Sequence, residues 1–177
     1  MSRCESFPPV YAPDARVLIL GSMPSEASLR AGEYYAHPRN AFWRIQCALW
    51  GAAFSPDMPY ADKLALLTSH RVALWDVARS CLREGSLDSD MREVACNDFS
   101  ALFSAAPGIE RVFCNGGTAH SLYLRMVRPR FPRVPAVRLP STSPAYTLPY
   151  EQKLAAWRAV VPPVNFKLDL ALKEIHP

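Results

Sequence analysis

Four short apolar runs, separated by segments with helical spacing, restrict this chain to a small set of folds. The runs are Arg16-Val17-Leu18-Ile19-Leu20, Val72-Ala73-Leu74-Trp75, Arg111-Val112-Phe113-Cys114 and Ala136-Val137-Arg138-Leu139. Each is bounded by turn residues, and none needs polar alternation, as expected of strands buried on both faces. Between them Phe42, Ile45, Leu49 and Trp50 form one helical stripe, and Leu64 and Leu67 belong to another. Phe99, Leu102 and Phe103 continue the pattern, followed by Leu122 and Met126 and then by Leu154, Trp157 and Val161. Strands alternating with helices predict a parallel sheet covered on both faces, an α/β chain arranged as a three-layer α/β/α sandwich. The 177 residues suit one domain over 1–177 and are too few for two ordinary ones.

That architecture says where a ligand would bind. In open parallel sheets, ligands sit beyond the carboxyl ends of the strands. Here those ends carry Gly21-Ser22-Met23-Pro24-Ser25, then Asp76, then Asn115-Gly116-Gly117, then Pro140-Ser141-Thr142-Ser143-Pro144. Exposed amides of the first loop suit an oxygen or an anion, although a plain strand-to-loop turn explains the same residues. Asp76 either accepts from ligand N–H groups or caps the next turn. For Asn115-Gly116-Gly117 a structural turn is the better reading. Small hydroxyl residues between prolines, as in Ser141 to Pro144, suit phosphate contacts or an ordinary connector. Arg125, Arg128, Arg130, Arg133 and Arg138 lie close by in sequence and form either one basic flank or a solvated face.

The stretch Tyr34-Tyr35-Ala36-His37-Pro38-Arg39-Asn40-Ala41-Phe42-Trp43 is unusual for a connector. Pro38 disfavours a helical His37, so a helix beginning near Asn40, a good N-cap, is expected. Phe42 and Trp43 then face the core, while Tyr34 and Tyr35 precede the helix, where aromatic faces can stack a flat ligand. Asn40 is a cap or a catalytic residue, and His37 more plausibly makes a structural hydrogen bond.

Composition narrows the classes further. No apolar run approaches the roughly 20 residues of a membrane span, and the N-terminus opens no apolar signal region, so a cytoplasmic protein is expected. The five cysteines are scattered and show no metal-site spacing, so neither metal nor other cofactor is expected. A net charge of +4 permits a polyanionic partner without requiring one. No Gly-x-Ser-x-Gly elbow supports a serine hydrolase built on Ser22 or Ser25 with His37 or His120.

Taken in order, the first strand, GSMPS, the loop ending YYAHPRNAFW, LWDV, GSLDS and LPSTSPA resemble the uracil-DNA glycosylase superfamily from Val17 to about Ala159. Within it the pattern is most similar to the hypoxanthine (deoxyinosine) DNA glycosylases, and next to the mismatch-specific uracil glycosylases. The resemblance implies a central four-stranded parallel sheet and a metal-free site binding DNA across the strand ends. Many members carry Asp or Asn in the first loop to position water, but the matching residue here is Met23, whose thioether cannot do so. In the hypoxanthine branch the Asn of His-Pro-Arg-Asn looks like its substitute, which points to Asn40. Tyr35 matches the aromatic that stacks on the flipped base, and Ser141 to Pro144 match the loop that pinches the phosphates and fills the gap. Leu139 stands where relatives place a His or Asn, so that side-chain donor to the leaving base is missing.

These residues imply a mechanism. The nucleotide is extruded from single- or double-stranded DNA into a pocket. Asn40 orients water, and backbone donors around Gly21, Ser22 and Met23 stabilise the leaving base. Asp76, if ionised, accepts N1–H of hypoxanthine, a proton adenine lacks, and Asn115 completes the base pocket. The expected enzyme is a monofunctional glycosylase for hypoxanthine, xanthine or uracil, monomeric and independent of membranes. A uracil-specific mismatch enzyme and a non-catalytic DNA- or nucleotide-binding module are the competing expectations.

Overall fold

The computed structural model describes residues 2–162, so the part of the expected 1–177 domain that follows lies outside the described residues. The first strand, β1 (Ser2–Glu5), precedes β2 (Val17–Gly21) and the short helix α1 (Glu26–Ala31). Helices α2 (Phe42–Trp50) and α3 (Tyr60–Ser69) lead to β3 (Val72–Asp76), β4 (Ala78–Arg83) and β5 (Arg92–Cys96). Then come α4 (Phe99–Ala105), β6 (Arg111–Asn115), α5 (Gly117–Leu122), β7 (Ala136–Leu139) and α6 (Tyr150–Trp157). A π-helical turn, Tyr123–Val127, continues α5.

The four expected strands pair in the order β3-β2-β6-β7, every pair parallel. All five residues of β2 and of β3 are buried, which is why their sequences lack polar alternation. Register fixes the site. Gly21 pairs with Asp76, Leu20 with Cys114, and Asn115 with Leu139, so four strands end at one level and their loops meet there.

Local signals set the helix ends. Ser25 Oγ accepts the Ser28 amide N–H at 3.3 Å, an N-cap for α1. Gly51 (φ 68°) closes α2 in the left-handed conformation that a side chain disfavours. The stripe of α2 buries Phe42, Trp43 and Ile45, placing Phe42 and Trp43 in the core as their spacing implied.

Sequence reading missed a second sheet, antiparallel and ordered β1-β4-β5. Its strands are mixed in polarity, and β4 buries Arg83 beside apolar residues, so no clean apolar run marks it. This sheet matters to the site because β4 begins one residue after β3. Val77 and Ala78 donate their amides to Gly21 and Ser22 carbonyls at 2.9 and 3.0 Å, tying the first loop to the second sheet. No described helix is long and apolar enough to cross a membrane.

Candidate functional site

A cavity of about 320 Å³ opens at the carboxyl end of the parallel sheet. It is lined from every strand end, by Gly21 to Ser25, Asp76, Asn115 and Ser141 to Ser143. Tyr34, Tyr35 and Asn40 enter from the connection before α2, and Ser86 to Ser89 from the loop after β4. Of the residues expected from sequence, Pro140 and Pro144 flank the last loop without lining the cavity. Gly116, Gly117 and His37 also stay off its wall, whereas Gly21 to Met23, Tyr35, Asn40, Asp76, Asn115 and Ser141 to Ser143 all line it.

The floor is set by one close approach. A Cβ on Gly21 would overlap Asp76 Oδ1 and sit 3.0 Å from Tyr35 Oη. Glycine is there for space. Asp76 is only 3 % exposed, and its Oδ2 has no hydrogen-bond partner among the described residues. Burial first, and then the negative charge of Asp88, push its carboxyl up to about 8, with the Arg83 guanidinium opposing the shift. At neutral pH it is therefore mostly the neutral acid, not the ionised acceptor considered from sequence.

Tyr35 has φ 56°, a conformation that costs a bulky residue of order 1–2 kcal/mol unless its surroundings impose it. They do. The flanking Tyr34 is clamped, its amide donating to Tyr60 Oη at 3.0 Å and its carbonyl accepting Trp43 Nε1–H at 2.8 Å. Tyr34 is itself 2 % exposed, with Oη donating to the Phe7 and Pro8 carbonyls, so it belongs to the core more than to a stacking platform. Tyr35 stacks on Phe42, with centroids 3.9 Å apart and planes at 19°. Its Oη is buried and has no hydrogen-bond partner among the described residues, and burial raises that phenol's pKa well above the ordinary range.

Of the two readings left open by the sequence, Asn40 takes up the cap, and it also lines the cavity. Helix α2 starts at Phe42, two residues later than expected, and Asn40 Oδ1 accepts the Phe42 amide N–H at 3.0 Å. A carbonyl oxygen has a second lone pair, so capping fixes the amide without consuming it. His37 has a structural role as expected, its Nδ1 accepting the Arg39 amide at 3.1 Å.

The last loop is held from three sides. Asn115 grips Thr142 twice: Nδ2 donates to Thr142 Oγ1 at 2.8 Å, and Oδ1 accepts the Thr142 amide at 2.9 Å. Expected as a base contact, Asn115 is first an anchor. The Ala41 amide donates to Thr142 O at 3.0 Å, linking this loop to Asn40. From α6, Trp157 Nε1 donates to Pro140 O at 2.9 Å. Lys153 Nζ donates to the Ser143 and Tyr146 carbonyls at 3.1 and 2.7 Å. The five arginines from Arg125 to Arg138 are all exposed.

Three site residues escaped sequence reasoning. Asp88 accepts Ser22 Oγ–H at 2.7 Å, and its own carboxyl is raised by burial. Arg83, 1 % exposed, donates Nη2 to Pro24 O at 2.5 Å and thus props the first loop from below. Lys153, 5 % exposed, holds the last. The GSLDS string carried a hint of Asp88. Nothing local to Arg83 or Lys153 sets them apart from surface cations.

The family model of the uracil DNA glycosylase superfamily matches residues 8–161. The chain belongs to that superfamily. It is therefore a DNA glycosylase, a hydrolase of N-glycosyl bonds acting on DNA. A hypoxanthine DNA glycosylase of Methanosarcina barkeri is 37 % identical over 112 residues, covering 63 % of this chain and 70 % of the relative. One of Methanosarcina acetivorans is 41 % identical over 113 residues, covering 64 % and 71 %. A solution structure of a Methanosarcina acetivorans protein provisionally named a uracil DNA glycosylase superposes with a TM-score of 0.74 at 34 % identity, covering 90 % of this chain and 99 % of that one. The superfamily expectation and the α/β fold with its four-stranded parallel sheet both hold.

Proposed function

We propose that this glycosylase extrudes a deaminated nucleotide from single- or double-stranded DNA and hydrolyses its N-glycosidic bond, with hypoxanthine the preferred base and xanthine or uracil also accepted. It would work as a monomer in the cytoplasm. One observation carries the reading: a cavity at the strand ends unites an aromatic ring backed by Phe42 with a buried carboxyl that has an unpartnered oxygen. About 320 Å³ lies at the small end of ligand sites, which run from about 300 to 1,000 Å³. Phe42 covers one face of Tyr35, leaving the other to stack on a flipped base. The similarity to hypoxanthine DNA glycosylases supports the choice of base.

The reaction builds positive charge on the sugar and negative charge on the departing base. Asn40, its amide fixed by the cap, orients the water through the remaining lone pair of Oδ1. Amides of the Ser22–Met23 segment stabilise the leaving base, and the Ser141–Pro144 loop grips the backbone. Neutral Asp76 offers its carbonyl to N1–H and its O–H to O6 of hypoxanthine. That O–H is a donor aimed at developing charge, in a site whose Leu139 supplies none. Incubating a duplex containing one deoxyinosine, followed by alkali, tests the function. Strand cleavage after enzyme treatment supports it, whereas tight binding without base release would make the chain a non-catalytic module. Parallel uracil-mismatch and xanthine duplexes rank the substrates, and release of uracil alone would replace hypoxanthine as the preferred base.

The protonation state of Asp76 yields a pH prediction. Ionisation removes the O–H donor and sets a carboxylate against an anionic leaving base. Inosine kcat/KM is therefore expected to fall as pH rises through about 8, and Asp76→Asn, which does not titrate, should lack that descending limb. A rate that climbs through the same range would show that the ionised form does the work. Stability follows the same direction. A carboxyl whose pKa moves from 3.8 unfolded to about 8 folded leaves the native state increasingly penalised between those values and evenly so above them. Asp76→Asn should raise the melting temperature most at pH 8 and above, and least near pH 4 (about the unfolded value).

A further inference from the structure

Among the described residues, the most exposed large apolar side chain is Leu87, at 57 %. A single exposed leucine is ordinary on a protein surface. This one sits at the cavity mouth on a segment fixed on both sides of it. Ser86 Oγ accepts the Glu26 amide at 2.9 Å, and Asp88 Oδ1 accepts Ser22 Oγ–H at 2.7 Å. Leu87 has extended backbone (φ −79°, ψ 130°), and its carbonyl accepts the Asp90 amide at 3.1 Å. Extended backbone sends successive side chains to opposite sides. Ser86 is held against the start of α1 and Asp88 against Ser22, each by its hydrogen bond, and Leu87 between them is turned to solvent. Gly85, at φ 72°, makes the turn that presents it. The fold thus holds an apolar group in water at the rim of a base pocket, with no partner within the described chain that would reward the arrangement.

We propose that Leu87 is a wedge that enters the base stack beside the extruded nucleotide, separate from the gap-filling loop at Ser141–Pro144. The inference rests on the base-extruding activity proposed above. Extrusion leaves apolar base faces open to water, and unstacking a step costs a few kcal/mol that an inserted aliphatic side chain partly recovers. Because Ser86 and Asp88 are anchored on either side, the backbone at Leu87 has little freedom left to lose on insertion. Tyr146, 45 % exposed, lines the same cavity from the last loop, so the opened stack would be met by apolar groups from two separate loops. The exposed position means that truncating Leu87 removes no core contact.

The test compares wild type, Leu87→Ala and Leu87→Met on a duplex with 2-aminopurine stacked directly beside deoxyinosine, and on the corresponding single strand. Wild type should raise 2-aminopurine fluorescence on binding the duplex, and Leu87→Ala should give a much smaller rise. Its kcat/KM should fall about tenfold on the duplex and only about twofold on the single strand, which has no opposing stack to hold apart. Leu87→Met should recover most of the duplex activity. Equal losses on both substrates would assign Leu87 to the pocket wall and overturn the proposal, as would an unchanged fluorescence rise in Leu87→Ala. If wild type releases no base from either substrate, the hypoxanthine reading fails, while the fluorescence comparison still decides whether Leu87 opens the stack.

Discussion

Asn40→Ala is expected to lower kcat/KM for base release from inosine-containing duplex by a hundredfold or more, roughly the effect of deleting one positioned polar group at a reacting centre. Two functions are lost together, because Oδ1 both caps the Phe42 amide and would hold the water. The cap alone is worth about 1 kcal/mol, which moves the melting temperature of a chain this size by about 2–4 °C. That shift cannot account for a hundredfold loss in an enzyme assayed well below its melting point. Asn40→Asp separates the two roles. Its carboxylate still accepts the Phe42 amide, so the melting temperature should stay at the wild-type value. It also supplies the carboxylate that Met23 lacks, and part of the activity should survive. Wild-type rates in Asn40→Ala would sink the assignment of Asn40 and leave the glycosylase itself untouched.

The second large effect belongs to Gly21. An alanine methyl there would overlap Asp76 Oδ1 and press on Tyr35 Oη, so both groups proposed to read the base must move. Overpacking of this kind typically costs about 1–3 kcal/mol, and a misplacement of about 1 Å in an active site can cost on the order of a hundredfold. Gly21→Ala is therefore expected to fold with a lowered melting temperature and to lose about a hundredfold in kcat/KM. Adding Asp76→Ala removes the colliding carboxyl group, so the double variant should regain stability without regaining activity. Wild-type behaviour of Gly21→Ala would show that the floor of the cavity yields freely.

Much of the frame was legible because its causes are local. A strand buried on both faces must be apolar at consecutive positions, and Leu18-Ile19-Leu20 and Val72-Ala73-Leu74 display this directly. Parallel connectivity then places every strand's carboxyl end on one edge, which groups Gly21, Asp76, Asn115 and Ser141 from the sequence alone. The antiparallel sheet left no comparable trace, because β4 mixes Ser80 and Arg83 with apolar residues and reads as a loop. Asn40 shows the limit at a single residue. Its type fits a cap and a catalytic group equally, and only the placement of Oδ1 on the Phe42 amide, with the residue still lining the cavity, shows that the two are compatible.

The expected motif GSLDS illustrates the same division. As a string it contributed to a resemblance and assigned no work to its members. In the fold, Asp88 turns in toward Ser22 and Asp76 while Leu87 turns out to the cavity mouth, a split produced by extended backbone and two anchors far away in sequence. Arg83 likewise supports the first loop only because the distant Pro24 carbonyl comes within reach, and Lys153 supports the last because α6 folds back onto the Ser143 and Tyr146 carbonyls. The sequence by itself determined the four-stranded sheet, its direction and the edge at which the cavity opens, since hydrophobic patterning and chain connectivity act over neighbouring residues. Tertiary structure alone decided which polar groups are anchored, which are left unpartnered and which carboxyl stays protonated, since burial and long-range hydrogen bonding depend on residues far apart in the chain.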